Sequence, residues 1–460
     1  MNEPAPEPGH GHGRVHVHEL LTVHGPEVAS SPRSRPALRA PEHGPTPGEM
    51  PPGRLRANFT PGMPKLLIAT TVPVSFGFFV PFADHFRRIG WTVDALTGTL
   101  EGFRYGDRFD AAHTVAWSRD PRHAHQVLIA APRVRAIVAK GRYDIVHVHT
   151  PVASFVTRFA LRDRDRAHGP IVVYTAHGFH FHPRGSAAKN ALFMTVEKLA
   201  ARWTDWLVVM NREDEIAANA LRLLPRSRIR RMPGIGVDLR HYAPESVDEA
   251  QVRAVREELA IGDAPFVLMV AELIPRKRPD DALRAFAEAT QDPALSRTHL
   301  VLAGDGPLLE RTARLARALG IDRRAHFLGL RPDVPVLMRA ASALVLPSVQ
   351  EGLPRCVLEA MSMGLPVVAT RIRGTTELLE GGCGTLFEVG DTAALAAGLR
   401  RVLLDPAAAA EDARRARERC ARYDDRTVIR LHEELYADAL AERDALARAP
   451  RAGAGASEGA

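Results

Sequence analysis

The densest chemistry in this 460-residue chain lies in 346-LPSVQEGLPRCVLEAMSMGLPVVAT-370. A strand ends at Pro347-Ser348, a short loop carries Glu351 and Gly352, and Pro354 is placed to open a helix, where proline is favoured in the first turn. The amides around Gly352 and Leu353 then point out of a helix N-terminus, whose partial positive charge accepts a phosphate. Glu351 stands in the loop beside that phosphate. Glu359, inside the helix, can accept two hydrogen bonds from vicinal hydroxyls such as those of a ribose. Isolated glutamates are solvated surface residues, but two carboxylates at a phosphate-binding helix end suit a sugar nucleotide.

Other candidate positions are weaker on their own. The turn Gly304-Asp305-Gly306-Pro307 follows a strand and opens a helix, which by spacing alone is an ordinary β-α turn. His177 ends a strand facing the expected cleft, where a histidine is commonly structural. His147 and His149 share one side of a strand, as do His180 and His182 if that stretch is extended. Zinc is conceivable there, but no carboxylate or thiolate completes a ligand set, so no metal site is expected. Asp163-Arg164-Asp165 sits in an alternating charge run that reads as a solvated helix end. The three cysteines have no metal-like spacing, and no disulfide is expected.

These residues need a scaffold, and the apolar pattern supplies one. Candidate strands cover 65–70, 91–96, 144–149, 170–176 and 206–210, then 265–271, 299–303, 325–328, 343–347 and 366–369. Amphipathic stretches alternate with them at 123–139, 188–203, 279–289, 307–319, 354–363 and 391–404, which predicts two tandem α/β Rossmann-like domains, each a doubly wound parallel sheet. Pro233-Gly234-Ile235-Gly236-Val237-Asp238 reads as a hinge. The expected organisation is a domain over 64–232, a hinge over 233–243, a second domain over 244–424, a helix over 425–446 returning to the first domain, and a fraying tail over 447–460. Ligands of such sheets sit beyond the carboxyl ends of the strands, so the chemistry belongs to the loops there.

Residues 1–63 hold 12 of the 35 prolines and 6 of the 20 histidines. That composition predicts disorder, with Met63 or Met50 as the functional start. The beginning has no apolar h-region, so no secretory signal is expected, and no run is long enough to span a membrane. Residues 64–240 carry 26 lysines and arginines against 15 aspartates and glutamates, while residues 241–460 carry 29 against 33. Excess positive charge in the first domain favours nucleic acid, an anionic membrane surface or a phosphorylated substrate. The basic-aromatic stripe of a nucleic-acid binder is missing, and no nucleic-acid partner is expected.

The segment from Glu351 to Glu359, with Ala360-Met361 and Gly364-Leu365-Pro366-Val367-Val368-Ala369-Thr370 behind it, resembles the signature of retaining glycosyltransferases of family 4, which have the GT-B fold. Asp144-Ile145-Val146-His147-Val148-His149-Thr150-Pro151 and Tyr174-Thr175-Ala176-His177-Gly178-Phe179-His180-Phe181 narrow the resemblance to bacterial exopolysaccharide and capsule-type members. It covers about residues 64–405.

The resemblance implies hexosyl transfer from a nucleoside diphosphate sugar, without metal or other cofactor, in the cytoplasm at the inner face of the membrane. It makes Glu351 the contact to the donor sugar, Glu359 the holder of the ribose, Lys277 the cation at the diphosphate and His177 the histidine near the anomeric centre. Gly352, Leu353 and Pro354 then bind the donor at the helix tip, and Gly304 and Gly306 line its pocket. The loop Gly329-Leu330-Arg331 meets the nucleobase through its backbone. Many members have an arginine where this chain has Glu272, which leaves Arg276 or Arg278 as the second cation. The loop Pro73–Phe79, with Phe76 and Gly77, has one glycine where many members have two, and its aromatics are expected toward the acceptor. A polyprenyl-diphosphate-linked saccharide is the implied acceptor. A sugar-nucleotide epimerase or hydrolase of the same fold and a non-catalytic sugar-nucleotide-binding subunit are the competing readings.

Overall fold

The computed structural model describes residues 63–117, 126–182 and 185–449. The expected Pro/His-rich tail, the start of the 123–139 stretch and the end of the C-terminal tail lie outside the described residues.

Apolar runs become strands buried on both faces, as a parallel sheet sandwiched by helices requires. The first sheet comprises β1 (Lys65–Ala69), β2 (Thr92–Thr97), β3 (Ala111–Thr114), β4 (Ile145–His149), β5 (Ile171–Ala176), β6 (Trp206–Val209) and β7 (Ile229–Arg231). Its order is β3-β2-β1-β4-β5-β6-β7, parallel throughout. The second comprises β8 (Phe266–Val270), β9 (His299–Ala303), β10 (Ala325–Phe327), β11 (Ala343–Leu346), β12 (Val367–Thr370) and β13 (Thr385–Phe387), in the order β10-β9-β8-β11-β12-β13, again parallel. Strand order reverses between β1 and β4 and between β8 and β11, and crevices for ligands open at such points.

Three strands were absent from the expected set: β3, β7 and β13. Each is short and lies at a sheet edge; β3 is half-buried along its length, and β7 reads Ile-Arg-Arg. An edge strand is held by backbone pairing to one neighbour and needs no continuous apolar run. One further expectation is corrected: Pro73–Phe78 is a 3-10 helix rather than an open loop. The C-terminal stretch forms helices Pro406–Cys420 and Asp425–Arg448, separated by a 3-10 turn at Ala421–Tyr423.

The chain crosses between domains twice, and the crossings lie side by side. Val237 N donates to Tyr423 O at 2.9 Å and Asp425 N to Val237 O at 3.1 Å. Gly236 (φ +83°) makes this contact possible, since a Cβ there would stand 2.5 Å from the Asp425 Cα. The returning helix Asp425–Arg448 buries Val428, Ile429, Leu435, Tyr436 and Leu440 in one cluster with Leu66, Phe86 and Trp91 of the first domain. Arg443 reaches Asp144 at 3.1 Å. Among the described residues no helix is long and apolar enough to cross a membrane.

Candidate active site

The loops after β8 and β11, adjacent strands at the switch point, bring the expected cation and carboxylate together. Lys277 ends the 3-10 turn Pro275–Lys277 and its Nζ lies 2.6 Å from Glu351 Oε1. Both side chains are largely buried, at 14% and 8% exposure. Arg276 Nη1 donates to Gln350 O at 2.8 Å and stands 3.5 Å from Glu351 Oε2. Arg278 is turned away onto Asp281, with Nη2 at 3.0 Å from Oδ1. Geometry thus selects Arg276 over Arg278 as the second cation beside Glu351. Glu272 is exposed and makes no ion pair among the described residues.

Pro354 caps the helix Arg355–Met363 instead of filling its first position, and among the described residues no side chain caps this N-terminus. The amides of Gly352, Leu353, Arg355 and Cys356 have no hydrogen-bond partner among the described residues. Orphan amides at a helix start, together with the macrodipole, attract an anion. One turn into the helix, Glu359 is 7% exposed. Arg355 Nε donates to it at 2.8 Å, and the Tyr242 phenol hydrogen-bonds to it, held protonated by burial and by that carboxylate. Burial, with Glu351 and Glu359 nearby and Lys277 opposing, pushes the Cys356 thiol up to about 12. Gly304 and Gly306 (φ +154° and +155°) bring their loop against the β8 loop, where a Cβ on Gly304 would lie 1.9 Å from Ala271 O.

The opposite wall comes from the first domain. Gly178 and Gly352 meet backbone to backbone across the cleft, and a Cβ on Gly352 would stand 1.8 Å from His177 O. Around this contact the loops are stitched together. Asn211 Nδ2 donates to Gly352 O at 3.1 Å and Gln350 Nε2 to Phe179 O at 3.0 Å. Arg373 donates to Phe179 O and pairs with Asp214, and these two side chains are 4% and 0% exposed. Burial raises the Asp214 carboxyl while Arg373 opposes. Sequence reasoning missed this stitch. Asn211, followed three residues later by Asp214, carries a helix-start signal, and Asn211 does accept from Asp214 N at 2.8 Å. Nothing in sequence marks Arg373 as its partner.

His177 heads a column of imidazoles. Its Nε2 and His149 Nδ1 share a hydrogen bond of 3.0 Å. His147 follows, 4.1 Å from His149 between ring centroids, bonded to Thr175 at 2.7 Å and to the Tyr436 hydroxyl at 2.6 Å. His432 on the returning helix donates from Nδ1 to Val428 O at 2.8 Å. Burial pushes His177 and His432 down to about 4, and His147 and His149 well below the ordinary imidazole value, with the neighbouring imidazoles adding to the effect on the first and last two. All four are neutral when folded, whereas in the unfolded chain they titrate near ~6.5. The unfolded state therefore binds more protons between these values, and stability must fall as pH drops from about 6.5 toward 4. Thermal unfolding at pH 7.5, 6 and 5 is expected to show that decline, with a shallower slope in His432→Phe. A midpoint that stays flat over this window would rule out a neutral column.

Two expected positions are corrected. Phe76 is fully buried in an aromatic cluster with Phe79, Phe103 and Phe109, so it faces no acceptor. Gly77 is packed under Tyr105, whose hydroxyl would stand 2.5 Å from a Cβ there. The exposed aromatic of this 3-10 helix is Phe78, which the Arg355 guanidinium covers at 4.9 Å. The Arg331 side chain is clamped by Asp333 (2.7 Å) and Glu258 (2.6 Å), which raise its pKa, so the guanidinium is already neutralised, and the backbone contact expected of this loop is left untouched. The neighbouring Gly329 O accepts from Gly304 N. Asp163 and Asp165 are solvated, Asp165 pairing with His168 at 2.8 Å. Among the described residues no group of three or more His, Cys, Asp or Glu side chains could hold a metal ion.

Comparison with known proteins gives this geometry a family. The family model "Glycosyltransferase Family 4" matches residues 80–240 and "Glycosyl transferases group 1" matches residues 251–422. A Bacillus subtilis (strain 168) protein named glycosyltransferase EpsD is 32% identical over 377 residues, covering 81% of this chain and 96% of its own. An Escherichia coli UDP-Gal:alpha-D-GlcNAc-diphosphoundecaprenol alpha-1,3-galactosyltransferase is 31% identical over 273 residues, covering 58% of this chain and 68% of its own. Among solved structures, HepE from Anabaena in complex with UDP superposes with a TM-score of 0.67 at 21% identity, covering 82% of this chain and 100% of that one. The chain belongs to glycosyltransferase family 4 and is a glycosyltransferase of the GT-B fold.

Proposed function

We propose that this enzyme transfers a hexosyl group from a nucleoside diphosphate sugar to a lipid-linked saccharide, with retention at the anomeric carbon, in the synthesis of a cell-surface or exported polysaccharide. The observation that carries the reading is the buried Lys277–Glu351 pair, with Arg276, beside the uncapped helix tip at 352–356. Cleaving the bond between sugar and diphosphate leaves negative charge on the diphosphate. An ammonium, a guanidinium and oriented amides in a partly dry cleft stabilise charge that develops there. Glu359 serves the ribose and His177 the sugar. No metal is needed on this reading, because the cations of the chain itself neutralise the leaving group, and a phosphate oxygen takes the acceptor's proton. The E. coli relative, whose name gives a UDP-sugar donor and a diphosphoundecaprenol-linked acceptor, supports the same chemistry here.

Thermal-shift screening against UDP-, GDP- and ADP-sugars tests the donor, since a ligand of the folded state raises its midpoint by mass action. Product analysis then tests the transfer: an epimerase or hydrolase converts donor without acceptor, whereas a transferase needs both. Glu359→Ala is expected to abolish the shift given by the preferred donor, and an unchanged shift would count against the ribose assignment. The excess positive charge of residues 64–240 supports peripheral association with the anionic inner face of the membrane. Flotation with anionic liposomes at low salt, lost at high salt, is the expected result.

A further inference from the structure

His147 and His149, prominent in the sequence, have no part in the chemistry above. The geometry points to His149 as a positioning residue that fixes His177 in the tautomer carrying its proton on Nδ1, so that His177 presents an N–H donor to the cleft.

The argument is one of hydrogen-bond parity. In a bond between two neutral imidazoles, one nitrogen carries the proton and the other supplies the lone pair. His149 Nδ1 and His177 Nε2 form that bond at 3.0 Å. His149 is 3% exposed, and its other nitrogen, Nε2, is enclosed with no hydrogen-bond partner among the described residues. The recess beside it is lined by the apolar Ile68, Phe79, Phe82 and Met210 together with His147, Thr175, His432 and Tyr436, none of which hydrogen-bonds to His149 Nε2. If His177 donated, His149 would carry its own proton on Nε2 and bury an N–H without an acceptor. Orphaned buried N–H groups are rarer than under-satisfied acceptors. His149 therefore donates from Nδ1 and leaves Nε2 bare, and the Nε2 of His177 accepts. The His177 proton is then on Nδ1, an atom with no protein partner among the described residues and not enclosed.

Burial keeps both rings neutral, so the arrangement persists at neutral pH. Ring contacts fix the geometry: Phe79 lies 4.3 Å and His147 4.1 Å from the His149 ring centroid. His147 is itself held from both sides by Thr175 and Tyr436. The functional consequence rests on the glycosyl-transfer reading: a neutral N–H at the cleft is matched to an acceptor oxygen of the sugar or diphosphate. The tautomer itself does not rest on that reading.

Nitrogen-15 NMR of histidine-labelled full-length protein without ligand reads the tautomer directly, the His177 signals being assigned by their loss in His177→Gln. Protonated Nδ1 and bare Nε2 are expected on His177, and a proton on Nε2 overturns the proposal whatever the enzyme's activity. In His149→Leu the preference should disappear. Turnover should fall about tenfold or more with the donor KM within about threefold, as when the partner that orients a functional histidine is removed. His149→Asn, whose amide nitrogen stands where Nδ1 stood, should restore most of the turnover. A His149→Leu protein with the wild-type tautomer, or with turnover within twofold of wild type, overturns the positioning role. Should His149→Leu fail to fold, the spectrum of the unaltered protein still decides. Absence of transfer by the unaltered protein would count against the functional reading alone.

Discussion

Replacing Lys277 by alanine is expected to lower kcat by about 10²–10³-fold, the cost of deleting one preorganised charge-stabilising donor. The ammonium sits 2.6 Å from Glu351 beside four amides that are unpartnered among the described residues. Arg276 approaches the same carboxylate at 3.5 Å and is 45% exposed, so Arg276→Gln should cost less, on the order of tenfold, consistent with the weaker field of a solvated charge. Arg278→Gln should leave kcat within about threefold, because Asp281 already holds that guanidinium away from the site. Steady-state kinetics with the donor chosen by thermal shift distinguishes the three. If Arg278→Gln proves the most damaging, the diphosphate site has been assigned to the wrong side of the loop. The Lys277→Ala midpoint should be recorded as well, since it leaves Glu351 buried and less well compensated.

The second large effect is expected at the domain stitch. Arg373→Met leaves Asp214, fully buried, without its charge partner, and breaking a buried pair from one side typically costs about 3–5 kcal/mol. Part of that cost can be relieved by opening the cleft and wetting Asp214. Arg373→Met should therefore show both a lower unfolding midpoint and a larger radius of gyration in solution scattering, with loss of kcat/KM. The double variant Arg373→Met/Asp214→Leu removes the stranded charge and should recover midpoint more than activity, because Phe179 O still lacks the donor that Arg373 supplied. Wild-type midpoint and radius of gyration in Arg373→Met would show that the pair contributes nothing to closure. Gly352→Ala acts at the same seam through sterics, since its Cβ would overlap His177 O and force the walls apart.

The aromatic loop illustrates where sequence misled. Phe76, Phe78 and Phe79 are chemically alike and adjacent. Which one faces the cleft depends on the 3-10 twist of Pro73–Phe78 and on Phe103 and Phe109 packing from a distant loop. Partners set by distance in the chain also decide Arg331, whose charge is claimed by Glu258, 73 residues away.

Local information was sufficient wherever a local cause operates. Apolar runs of strand length bounded by amphipathic stretches specify buried parallel strands, because burial on both faces leaves no other composition, and the loop-then-helix grammar around Glu351 and Glu359 marks an anion site because unpaired amides exist at any helix start. Only the folded molecule could decide the rest. Lys277 meets Glu351 because β8 and β11 are neighbours, Arg373 meets Asp214 because two domains close, and His432 joins His147 because the chain returns to the first domain. Charges and imidazoles act over a few ångströms of space, and the chain positions that share that space are set by strand order and domain closure, which leave no mark on the residues beside them.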